Sequence, residues 1–121
     1  MNRTFFIAGG QYHKLPKIIR EIKPKILLEL QPEPENKFDP NAVRILMGDD
    51  FLGYVPKKFS SEVSAMLEMG VYLECEIEEV NPSAKPWEMC KVTIREVDEA
   101  EKVERGMYDD VKEAKDEARL L

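Results

Sequence analysis

Eight prolines, at positions 16, 24, 32, 34, 40, 56, 82 and 86, cut most of this chain into short pieces. Proline lacks a backbone N–H and fixes its own φ, so it is excluded from helix interiors and from the middle of a central strand. What lies between the prolines is mostly short and apolar-alternating. Thr4 to Ala8 is rich in β-formers and runs into Gly9-Gly10, which predicts a strand leaving into a loop. Leu15 to Lys23 places Ile18, Ile19 and Ile22 at helical spacing, but Pro16 and Pro24 confine any helix there to about two turns. Lys25 to Gln31 sets Ile26, Leu28 and Leu30 on one face and Leu27 on the other, a strand that Pro32 and Pro34 end.

Val43 to Met47 and Phe51 to Val55 flank Gly48-Asp49-Asp50, the signature of a hairpin. Beyond Pro56, Ser60 or Ser61 is placed to cap a helix carrying Val63, Met66 and Leu67, and Gly70 is placed to stop it. From Val71 to Val80, Val71, Leu73, Cys75 and Ile77 alternate with Glu74, Glu76 and Glu78, which predicts a half-buried antiparallel strand with its glutamates outward. A proline-bearing connection, Asn81 to Trp87, leads to a last strand around Met89 to Val97. From Asp98 onward, Ala100, Val103, Met107, Val111, Ala114, Ala118 and Leu121 recur at intervals of three or four, the stripe of a surface-docked helix. Strands in runs, rather than alternating with helices, favour a small β-barrel with a short helix between strands and a C-terminal helix. The expected organisation is one barrel domain over residues 1–97 and an acidic helical tail over 98–121 packed on it.

Charge excludes one mode of action. A formal net charge of −6 does not suit a protein that coats nucleic acid through bulk electrostatics, which takes many Lys and Arg contacts to phosphate. The charge is unevenly spread: Arg3, Lys14, Lys17, Arg20, Lys23 and Lys25 face only Glu21 in the first quarter, whereas 98–121 holds nine acids against five bases. Cys75 and Cys90 sit in two separate apolar-alternating segments and read as reduced core residues, in keeping with a cytoplasmic location. With His13 they make three scattered candidates, short of the ligand number and spacing of a zinc site. No run approaches the roughly 18 apolar residues of a membrane span, and neither a membrane partner nor a signal peptide is expected. Phosphate-binding glycine loops, nucleophile elbows and metalloprotease helices are all missing from the sequence, so no catalytic residue, metal or cofactor is expected and the chain reads as a non-enzyme.

Three blocks stand out from this background. Gly9-Gly10-Gln11-Tyr12-His13 comes first, then Glu33-Pro34-Glu35-Asn36-Lys37-Phe38-Asp39-Pro40-Asn41-Ala42-Val43, then Leu52-Gly53-Tyr54-Val55-Pro56. In order and spacing, over roughly residues 4 to 97, they resemble the HIRAN family, whose signature has an acidic residue before Pro, an Asn, an aromatic-Asp pair, an Asn-Ala-Val exit into a strand and a Gly-Tyr-Val-Pro segment. The resemblance implies a modified OB-like barrel. It also implies a module that recognises 3′-hydroxyl ends of single-stranded DNA, in DNA repair or replication-related processing. Carried over, Tyr12 and Phe38 pack against the terminal base while Asp39 accepts a hydrogen bond from the 3′-hydroxyl. The chemistry is sound on its own terms, because an aromatic face stacks on any base and a carboxylate accepts a hydroxyl proton while repelling a phosphate.

Asn36 and Asn41 fit as loop-shaping or ligand-contacting amides, His13 belongs to the first block, and Lys57 and Lys58 are placed to meet the phosphates nearest the end. Two positions depart from the family. Gln11 stands where end-binding members can carry arginine, and Tyr54 where histidine can occur, which bears on affinity more than on fold. Structural roles compete at several positions. Asp39-Pro40-Asn41 is a good turn whatever its function, Phe38 is equally suited to plug that turn, and Tyr54 lies in an apolar run that favours core packing with its hydroxyl at the rim. His13 reads as an ordinary loop residue and Trp87 as an edge clamp on the barrel. The rival function is a protein-interaction or adaptor domain that recruits a partner through the acidic surface and C-terminal helix.

Overall fold

The computed structural model describes residues 1–98. The expected tail helix, and with it the adaptor role of that segment, lies outside the described residues. Six strands form one antiparallel sheet: β1 Asn2–Phe6, β2 Leu27–Pro32, β3 Val43–Met47, β4 Asp50–Tyr54, β5 Leu73–Val80 and β6 Cys90–Glu96, in the order β1-β6-β5-β2-β3-β4. The sheet curls into a half-barrel, and its outer strands meet at one bridge, where the amides of Ala8 and Tyr54 each donate to the other's carbonyl at 2.9 and 2.8 Å. The fold is thus the β-rich, OB-like architecture expected, with few and short helices.

Local chemistry explains each element. β5 buries Leu73, Cys75 and Ile77, and β6 buries Cys90, Val92 and Ile94 against them, so period-two alternation decides which face turns inward. The helical run after the first loop is shorter than expected: α1, Leu15–Ile18, has Pro16 in its first turn, and a 3₁₀ turn over Ile19–Glu21 delivers Leu15, Ile19 and Ile22 to the core. The second helix, α2, spans Lys57–Glu68. It ends as expected at Gly70, whose φ of 82° is the left-handed conformation that glycine adopts freely. The amide of Val71 bonds the Met66 carbonyl and that of Gly70 the Leu67 carbonyl, the paired bonds of a Schellman stop.

Two expectations fail here. Pro56, not Ser60 or Ser61, is the N-cap of α2, so the helix starts a turn earlier and Ser60 becomes a buried residue inside it. Glu74, on the face away from Leu73 and Cys75 as the alternation sets it, is not exposed there: it is buried and pairs at 3.4 Å with Arg95, its direct partner in the β5–β6 register. Burial pushes both thiols up, Cys90 to about 12, so Cys75 and Cys90 are protonated core groups. Among the described residues no helix is long and apolar enough to cross a membrane, and no group of His, Cys, Asp or Glu is arranged to hold a metal ion.

Candidate nucleic-acid interface

The loop joining β2 to β3 is built almost entirely on its own side chains. Its base is closed by the Glu33 amide donating to the Ala42 carbonyl at 2.8 Å, next to the paired residues Pro32 and Val43. The Asn36 side-chain oxygen accepts from the backbone amides of Phe38 and Asp39 at 2.8 and 2.9 Å, and Asp39 Oδ1 accepts from the amide of Asn41 at 2.8 Å. These are consecutive Asx turns, and they explain why Asn and Asp sit three residues apart here. Asn36 Nδ2 donates to Glu33 Oε1 at 2.7 Å. With its oxygen and its amide both engaged, Asn36 shapes the loop.

Beside this loop the barrel surface opens into a groove of about 500 Å³. Its apolar walls come from Ala8, Ala42, Val55 and Phe38, and its polar groups from Asn36, Asp39, Tyr54 and Lys57, with Gly9 at the edge. The Phe38 ring is 91% exposed, so it does not plug the turn. Asp39 is half-buried, and its Oδ2 accepts from the Ser60 hydroxyl at 2.8 Å. The site therefore offers an unsupported aromatic face, a carboxylate gripped at both oxygens and an exposed lysine.

Glu33 anchors the far side. Its Oε1 also accepts from the Tyr54 hydroxyl at 2.8 Å, and its Oε2 pairs with the Arg44 guanidinium. Burial alone would raise the Glu33 pKa, but the hydrogen bonds from Asn36, Tyr54 and Arg44 outweigh it and hold the carboxyl below its ordinary value. Burial, then the bond to Glu33, raises the Tyr54 phenol. Tyr54 is half-buried and does not pack in the core as expected; its ring joins a surface layer in which Phe51 lies edge-on at 5.2 Å and His13 stacks on Phe51 with ring centroids 4.0 Å apart. Arg44 covers Phe51 at 4.6 Å. His13 reaches this layer from its loop, and burial with the neighbouring Arg44 lowers its pKa.

Of the residues expected at the site, Asn36, Phe38, Asp39, Tyr54 and Lys57 line one groove. Gln11, Tyr12, His13, Asn41 and Lys58 are not among its described lining residues. Gln11 and Tyr12 lie on the 3₁₀ turn Gly10–Tyr12 that Gly9 opens with a φ of 68°, and Tyr12 is 79% exposed. Asn41 is exposed behind Asp39, and Lys58 lays its ammonium over the Phe59 ring at 5.4 Å. Trp87 is half-exposed, with Lys85 over its ring at 5.7 Å. Reading the sequence alone missed Glu33, Arg44 and Ser60 as supports of the site.

The HIRAN domain family model matches residues 3–96, from the second residue of β1 to the end of β6. The chain belongs to the HIRAN domain family. HIRAN domains are nucleic-acid-binding modules, and no catalytic family is indicated for this one. The fold is similar to that of the HIRAN domain of human HLTF, at a TM-score of 0.65 and 13% identity over 93% of this chain and 87% of that one. It is likewise similar to the crystal structure of a protein from Lactobacillus plantarum, at a TM-score of 0.68 and 16% identity over 79% of this chain and 97% of the other. No curated protein matches this HIRAN chain.

Proposed function

We propose that this HIRAN domain is a non-enzymatic module that seats the 3′-hydroxyl end of single-stranded DNA in the groove beside the β2–β3 loop. The observation that carries this reading is the pairing, on consecutive residues, of the exposed Phe38 ring with the Asp39 carboxylate. A base stacked on the ring brings its sugar toward a group that accepts a hydroxyl proton and repels a phosphate. Each Asp39 oxygen has one protein donor, which leaves each a lone pair for a ligand. Lys57, in the first turn of α2, supplies a positive charge for the phosphate that precedes the terminal sugar. Tyr12, on its exposed turn beyond Gly9, is the second aromatic available to the terminal nucleotide. Such ends arise in DNA repair and in replication-related processing, where a module of this kind would act.

Fluorescence anisotropy with a short oligonucleotide ending in a 3′-hydroxyl, set against the same strand ending in a 3′-phosphate, tests the reading. Preference for the hydroxyl end, reduced in Asp39→Asn, is the expected result. Equal affinity for the two ends would refute it.

A further inference from the structure

Ser60 places a buried hydroxyl inside a helix, where only the Lys57 carbonyl offers it a local acceptor. It is 2% exposed inside α2, where serine is a poorer helix former than alanine and where Pro56 already serves as the cap. Its Oγ lies 2.8 Å from Asp39 Oδ2 and 3.2 Å from the backbone carbonyl of Lys57. A serine has one hydroxyl proton, and the closer, charged acceptor is Asp39.

We infer that Ser60 is a positioning residue for end recognition: it fixes the plane of the Asp39 carboxylate and its distance from Lys57. The inference rests on the proposed reading of the groove. The β2–β3 loop alone grips Asp39 only at Oδ1, through the Asn41 amide. That single bond leaves the carboxylate free to swing about it. The second bond, from Ser60 in α2, removes that freedom and aims the remaining lone pairs. It also joins the loop that carries Asp39 to the turn of α2 that carries Lys57. A carboxylate held in place beside the turn that carries Lys57 accepts from a free 3′-hydroxyl and cannot swing away from the phosphate that an internal sugar carries there.

The test is the ratio of affinities for the 3′-hydroxyl and 3′-phosphate strands, measured in the full chain for the wild type, Ser60→Ala, Asp39→Asn and the double variant. General loosening of the fold weakens both strands alike and leaves this ratio in place, whereas loss of aim lowers it. Ser60→Ala is expected to reduce the ratio roughly threefold to tenfold, the worth of one ordinary hydrogen bond, since Asp39 keeps its charge and its bond from Asn41. The double variant is expected to match Asp39→Asn, since Ser60 acts only through that carboxylate. A ratio that falls in Asp39→Asn but holds in Ser60→Ala overturns the positioning role and leaves the end-binding reading standing. A ratio unchanged in Asp39→Asn overturns both.

Discussion

Tyr54, the last residue of β4, donates its hydroxyl proton to Glu33 across 2.8 Å and so ties the hairpin to the loop that follows β2. The same carboxylate holds Asn36 and Arg44, which makes Glu33 the point where the loop, β3 and β4 are joined. Glu33→Gln keeps the shape but presents an amide to Arg44, leaving one cation and one hydroxyl poorly matched. We predict a loss of about 1 to 3 kcal/mol in unfolding free energy. An unchanged urea midpoint would refute the prediction.

Acid is predicted to weaken the fold in two steps. His13 is held below 6.5, so the folded chain binds its proton less readily than the unfolded chain does. Its contribution is complete above pH 6.5 and is lost as pH falls through the lowered folded value. Glu33, held below 4.5, behaves in the same sense: its contribution is complete above pH 4.5 and is lost as pH falls further. Urea midpoints from about pH 8 down to about pH 3 are expected to show both declines. His13→Phe, which keeps a ring against Phe51, is expected to remove the upper decline alone.

Phe38→Ala separates binding from stability. The ring is 91% exposed, so its loss changes stability by less than about 0.5 kcal/mol. Its loss as a stacking face is predicted to cost about 1 to 3 kcal/mol of binding to single-stranded DNA. Matched thermal melts and anisotropy titrations check the two halves independently.

Salt dependence is predicted to be shallow. If about three phosphates are neutralised, log affinity falls with log salt at a slope of roughly −2, which an acidic protein can sustain. Lys57→Ala is expected to lessen that slope by about 0.7. A wild-type slope near about −8 would point to a broad electrostatic track instead of an end site.

Gly53 has no room for a side chain: a Cβ there would lie 2.5 Å from the Ala8 carbonyl and 2.6 Å from Ile7 Cγ2. Gly53→Ala is therefore predicted to destabilise the domain by roughly 2 kcal/mol or more, since the obstruction on one side is backbone. A melting temperature within a degree of the wild type, by calorimetry, would contradict this.

Much of this architecture is legible in the sequence because alternation and punctuation are local signals. Leu73, Cys75 and Ile77 announce the buried face of β5, and Gly70 announces the end of α2. The aromatic-Asp pair, with its Asn three residues before the Asp, announces the loop. Tyr54 was less legible, for a definite reason. Counting alternation from Leu52 puts Tyr54 on the core face, but β4 bulges between its pairings with Ile45 and Leu46. One extra residue reverses the faces that follow, so Tyr54 turns outward opposite Arg44 while Val55 turns in. Ser60 and Glu74 escaped because their partners, Asp39 and Arg95, lie 21 residues away in sequence in each case.

The bridge between Ala8 and Tyr54 is where the curled sheet meets itself, and the same two residues line the groove. The cleft is therefore the seam of the barrel. Opening the seam dismantles one wall of the cleft, and whatever occupies the cleft works against that opening. Occupancy and closure become two readings of one equilibrium: the slowest-exchanging state of the Ala8 and Tyr54 amides is the state with the cleft filled.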